Sequence, residues 1–240
     1  MDYREQIAQN IAMIRAQMDA AALACGRDPK EICLCAATKM NDADRVKAAV
    51  AAGVDCCGEN RVQELTQKLS EHAYDGAPVH FIGHLQTNKV KQVVGKVSLI
   101  QSVDSERLLA AINKEAARQG IIQDILLEIN IGREESKSGL MEEEVFPLLE
   151  KMAGFPNVRI KGLMAIPPIS QKNGNNRKFF QKMCNISVDI IAKKYDNVME
   201  NYMSMGMSDD YADAIGCGST MIRVGTAIFG ARDYTKLHQT

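Results

Sequence analysis

The sequence predicts an α/β protein, a single closed (β/α)₈ barrel of the TIM type with an extra N-terminal helix. Three observations carry this. Short apolar runs of strand length recur eight times along the chain. Amphipathic, capped segments of helical period separate them, the alternation that builds parallel sheets. The chain has 240 residues, close to the roughly 250 such a barrel uses. On that count the barrel takes up residues 1–240 as one domain and leaves nothing for a second. A doubly wound open sheet is the alternative for the same alternation; eight strands favour closure.

The elements follow in order. Ile7, Ile11, Ile14 and Met18 form a helical stripe over residues 3–25, which Gly26 can end in a left-handed cap. Residues 32–37, an unbroken small apolar run, read as the first buried parallel strand. Asn41 or Asp42 caps the next helix. Strand two is read at 55–58 with a helix over 61–69, and strand three at 79–82 with a helix over 88–94. Strand four is placed at 97–101, before a long helix to Gln119 capped by Asp104 or Ser105. Strand five is 125–129; the helix over 142–152 contains Pro147, which weakens or kinks it. Strand six is 159–164, and the polar loop 168–176 leads to a helix over 177–194 as a lid or a solvated connection. Strand seven, 200–204, precedes a short helix over 209–215 that Ser208 is placed to cap, and strand eight is 221–225.

Composition excludes several classes. With 29 basic and 30 acidic residues and a net charge of −1, the chain has no clustered basic surface for nucleic acid. No apolar run reaches the ~18 residues of a membrane span. The charged start, Met1-Asp2-Tyr3-Arg4-Glu5, is unlike a signal peptide, so a cytoplasmic protein is expected. Seven cysteines without zinc-site spacing read as small buried hydrophobes of a reducing compartment.

In a barrel the ligand site lies at the C-terminal strand ends. Those ends carry Lys39, Asn60, His84, Asn130, Ser204, Gly206, Arg223 and Gly225. Lys39 shares strand parity with the small residues Cys33, Cys35 and Ala37. If that face points inward, a desolvated Lys39 amine becomes a nucleophile towards an aldehyde. An ordinary solvated lysine at a strand–helix junction fits the position as well. Arg223 and the glycines of Gly225-Thr226-Ala227-Ile228-Phe229-Gly230 follow strand eight, and Ser204-Met205-Gly206 follows strand seven. Paired sites of this kind hold phosphates in many barrels. His80 is read as a strand residue packed against a helix, His84 as a loop residue near the mouth, and Glu128 as a paired group at the mouth or wall.

Nearly the whole chain resembles the pyridoxal phosphate homeostasis protein family. The landmarks are Ala37-Thr38-Lys39, Gly58-Glu59-Asn60-Arg61-Val62-Gln63-Glu64, the run from His80 to Lys89, Lys137-Ser138-Gly139, Met203-Ser204-Met205-Gly206-Met207-Ser208, and Ile222-Arg223-Val224-Gly225-Thr226. The resemblance implies a barrel similar to the N-terminal domain of alanine racemase, with pyridoxal 5′-phosphate (PLP) held as a Schiff base on Lys39. It implies further cofactor contacts from Asn60, Ser204, Met205, Gly206, Arg223, Gly225 and Thr226, with Arg223 beside the ring nitrogen or the phosphate. Cys57 and Arg61 stand where the family often has aromatic residues.

The resemblance implies a vitamin B6 homeostasis role: a monomeric carrier that supplies PLP to apo-PLP-dependent enzymes, without strong catalysis. Two features support a carrier. A permanently charged arginine beside the ring nitrogen weakens the electron sink, and the barrel leaves no residues for the second domain that completes racemase sites. The alternatives are a slow amino-acid racemase of the alanine racemase type and a Schiff-base aldolase acting on a sugar phosphate.

Overall fold

The computed structural model describes residues 2–168 and 176–230. Most of the polar loop at 168–176 therefore lies outside the described residues. Eight parallel strands close into a barrel in the order β1 to β8. They are β1 (Cys33–Ala37), β2 (Cys56–Glu59), β3 (Val79–Phe81), β4 (Leu99–Val103), β5 (Gln123–Ile129), β6 (Val158–Ala165), β7 (Val198–Ser204) and β8 (Met221–Val224). The closing seam pairs Cys35 with Arg223 and Ala36 with Val224.

The helices are α1 (Tyr3–Ala24), α2 (Ala43–Ala51), α3 (Val62–Ser70), α4 (Glu106–Gln119), α5 (Glu142–Leu149), α6 (Arg177–Lys193), α7 (Tyr211–Gly216) and α8 (Thr226–Phe229). Their apolar faces pack on the outer surface of the barrel and form the main core. The predicted stripe of α1 is buried and packs against α2, α7 and α8, so this helix covers the seam where β8 meets β1. Arg27 fixes its C-terminal end by donating from Nη1 to the carbonyls of Ser219 (2.7 Å) and Ile215 (3.0 Å).

Three local expectations are corrected. The segment expected as a helix over 88–94 is a six-residue 3₁₀ turn, Thr87–Gln92. Val90, Val93 and Val94 are β-branched and disfavour an extended α-helix there. Ser208 does not cap α7; Asp210 stands at that position, and its carboxylate accepts from the Met207 N–H at 2.8 Å. His80 points into the barrel. Its neighbours Val79 and Phe81 join the outer core, and strand alternation turns His80 the other way. Elsewhere the caps follow expectation: Asp42 caps α2, and Ser105 rather than Asp104 caps α4.

Inside the barrel, Cys35, Cys56, Leu99, Leu126, Met164 and Met221 form a separate small cluster. Above it, towards the C-terminal strand ends, the interior turns polar. Among the described residues no helix is long and apolar enough to cross a membrane.

Candidate functional site

Lys39 stands two residues beyond the end of β1 and is half-buried. The chain on both sides of it is held by a buried charge network from β2 and α3. Lys68 donates from Nζ to the Thr38 carbonyl at 2.9 Å, to Glu59 Oε2 at 2.7 Å and to Glu64 Oε2 at 3.0 Å. Glu59, with no exposed surface, also accepts from the Tyr74 hydroxyl (3.1 Å), the Thr38 hydroxyl (2.9 Å) and the Asn60 N–H (2.9 Å). Glu64 accepts from the Met40 N–H at 2.7 Å, and Met40 has a φ of 61°. A left-handed non-glycine residue costs energy and persists only where its surroundings hold it. Asn41 Nδ2 donates to the carbonyl of Lys39 itself, at 3.1 Å. Burial, then the negative charge of Glu59, drives the Tyr74 phenol far above its ordinary pKa. It therefore remains a hydrogen-bond donor.

A second network crosses the barrel interior beneath the mouth. The buried guanidinium of Arg223 donates from Nη1 to the Ser204 hydroxyl and from Nη2 to the Ala165 carbonyl at 2.9 Å. Ser204 donates in turn to Gln101 Oε1 at 2.7 Å, and Gln101 Nε2 lies 2.9 Å from His80 Nδ1. Among the described residues, two of the five N–H donors of Arg223 are thus engaged. Among the described residues no carboxylate forms an ion pair with it. Burial lowers its pKa, while Cys35 and Glu128 oppose that.

The remaining predicted residues sit around this frame. Gly225 is half-buried at the end of β8, and a Cβ there would lie 3.2 Å from the Ala37 carbonyl. Thr226 is exposed and opens α8. The side chain of Met205 packs in the outer core, so only its backbone can serve a ligand at the mouth. Gly206 is buried, with a φ of 98°, and its carbonyl accepts from the Arg223 N–H at 3.0 Å. Ser204 lies below the mouth with its hydroxyl engaged on both sides. Of the two positions that depart from the family pattern, Cys57 faces the outer core and Arg61 is exposed at the start of α3.

On the β2, β3, β5 and β6 side, the mouth holds a cavity of about 250 Å³ lined by Asn60, His84, Glu128, Asn130 and Lys137, among others. Asn60 Oδ1 is buried there without a hydrogen-bond partner among the described residues. Glu128 is buried, and no ion pair involves it among the described residues. Burial, reinforced by Asp104, lifts its carboxyl to about 7 against the pull of Arg223. His84 is exposed and lies 3.1 Å from Asp104. Sequence reading named Glu128 but not its titration, because that depends on desolvation and on Asp104 arriving from β4. The Lys68 network was missed; the spacing of Glu64 and Lys68 on one helix face was its one visible sign.

A close-packed glycine cradle and a buried guanidinium without a carboxylate partner among the described residues fit a flat anionic ligand, and the orphaned Asn60 oxygen calls for a donor on it. A barrel with such a mouth defines the class, and residues 4–233 match the family described as the alanine racemase N-terminal domain. The chain belongs to the pyridoxal phosphate homeostasis protein family. It is 38% identical over 233 residues to the pyridoxal phosphate homeostasis protein of Escherichia coli K12, covering 96% of this chain and 98% of that protein. The structure of PipY from Synechococcus elongatus with PLP bound aligns with a TM-score of 0.81 at 29% identity, covering 93% of this chain and all of that one. Alanine racemase of Clostridium difficile shares the fold alone, with a TM-score of 0.69 at 13% identity over 58% of its length.

Proposed function

We propose that this chain binds PLP at the C-terminal mouth of its barrel, with Lys39 as the covalent anchor, and serves intracellular PLP homeostasis as a carrier without strong catalytic activity. The observation that carries the reading is the placement of Lys39, which the Glu59–Lys68–Glu64 network grips from both flanks. PLP supplies an aldehyde that condenses with a lysine amine, masking it from free amines and thiols. Lys39 provides that amine. Arg223 supplies positive charge and N–H donors to an acceptor atom, and Gly225 and Thr226 offer backbone at the open end of β8 to a phosphate. Asn60 contributes the buried amide oxygen, and Gly206 with the backbone of Ser204 and Met205 shapes the wall between β7 and β8.

Full-length identity to proteins named for PLP homeostasis supports the carrier role. We read the chain as one barrel domain that acts as a cytoplasmic monomer, with apo-PLP-dependent enzymes as its clients. PLP-loaded protein incubated with an apo-PLP-enzyme should restore that enzyme's activity. No reactivation, even at long times, sinks the carrier role.

One observation favours a second reading, a slow amino-acid racemase. Glu128, with a carboxyl near neutrality inside the mouth cavity, is suited to exchange a proton there. Incubation with L-alanine followed by chiral chromatography separates the readings. The racemase requires D-alanine that is lost in both Lys39→Ala and Glu128→Gln.

A further inference from the structure

Deep in the barrel, below the mouth, β1 and β2 bring three thiols together. Cys35 and Cys56 are register partners, and Cys33 precedes Cys35 on the same face of β1. Cys33 Sγ and Cys56 Sγ lie 3.7 Å apart. From β3, His80 reaches the same point, so that Cys35 Sγ, Cys56 Sγ and a His80 ring nitrogen all lie within 4.8 Å of one another. Gly58 makes the room. A Cβ on it would come within 2.9 Å of Cys35 Sγ, so any other residue at this position would crowd the sulfur.

The donor set is chemically selective. Thiolate and imidazole together favour borderline-soft cations over magnesium or calcium. A tetrahedral zinc ion with Zn–S bonds of about 2.3 Å holds its sulfurs ~3.8 Å apart, which matches the Cys33–Cys56 separation. Metal-ligating histidines are oriented by a hydrogen bond at the other ring nitrogen. On metal binding the Gln101 amide, 2.9 Å from His80 Nδ1, turns over to accept the Nδ1–H through its oxygen, which leaves Nε2 unprotonated as the ligand. We propose that Cys35, Cys56 and His80, with Cys33 Sγ beside Cys56 Sγ, form a binding site inside the barrel for a divalent cation of the zinc class. Binding replaces the thiol protons of Cys35 and Cys56, which pass to solvent, with two sulfur–metal bonds. Cys33 is half-buried whereas Cys35 and Cys56 are buried, so the N-terminal end of the barrel is the entrance. The site does not rest on the PLP reading.

The test is a cobalt(II) titration of the reduced, PLP-free, full-length protein, followed by zinc competition. One equivalent of cobalt should produce the visible bands of tetrahedral thiolate coordination, and one equivalent of zinc should abolish them. The bands should vanish in Cys35→Ser/Cys56→Ser and persist in Cys25→Ser, which alters an exposed thiol elsewhere. Bands that survive in the folded double variant, or never form in wild type, overturn the site. X-ray absorption of zinc-loaded wild type decides the matter if the double variant fails to fold. A shell containing sulfur at about 2.3 Å supports the site, and a shell of oxygen and nitrogen alone overturns it.

Discussion

Replacing Lys68 with methionine should destabilise the protein far more than a surface lysine substitution would. The ammonium makes three hydrogen bonds, at 2.7, 2.9 and 3.0 Å, and two of their acceptors are carboxylates. Glu59 has no exposed surface, so the variant leaves a buried carboxylate without its cation. Breaking one partner out of a buried pair costs about 3–5 kcal/mol, whereas replacing both partners by uncharged groups often costs little. For a chain of this size each kcal/mol moves Tm by roughly 2–4 °C, so a fall of about 6–20 °C is expected. The double variant Lys68→Met/Glu59→Gln should recover a large part of it. The assay is thermal melting of wild type, both single variants and the double, combined as a cycle. Loss of the grip on Thr38 and Met40 should also weaken PLP retention. A Lys68→Met protein that melts within 2 °C of wild type, or a purely additive double variant, refutes the claim that this network is a charge-paired support for Lys39.

Two further outcomes follow from the mouth. Glu128 has a folded pKa of about 7 against an ordinary value near 4.5. Between these values the native state binds the extra proton, so stability falls as pH rises from about 4.5 through 7 and then levels off, by about 3 kcal/mol in all. Glu128→Gln should match wild type near pH 5 and exceed it near pH 8 in urea unfolding; a difference that is independent of pH contradicts this. Arg223→Met should weaken PLP binding by ~10- to 150-fold, the loss of one charge-assisted hydrogen bond. Equilibrium titration of absorbance measures this, and unchanged affinity would remove Arg223 from the site.

The barrel was legible because short, largely apolar runs recur at strand length, and because Asp42 and Ser105 punctuate the helices that follow. The strand ends that carry Lys39, Asn60 and Gly225 were legible because each follows closely on a strand. Sequence failed where the answer depends on which face of a strand turns inward. His80 was assigned to the helix layer because a three-residue strand has too little alternation to fix its direction. The joining of Arg223, Ser204, Gln101 and His80 could not be read, because it links β8, β7, β4 and β3 across the interior. The pairing of Glu59 with Lys68 could not be read, since nothing in their immediate neighbours reveals that both are buried. The thiols of Cys33, Cys35 and Cys56 likewise meet only once β1 and β2 are in register.

The most direct measurement is the absorbance spectrum of purified wild type and Lys39→Ala after PLP addition, with and without borohydride. A visible band present in wild type and absent in the variant, with borohydride fixing the cofactor on a peptide that contains Lys39, is the predicted result. A wild type that stays colourless with added PLP, or a cofactor fixed to a different lysine, would contradict the account.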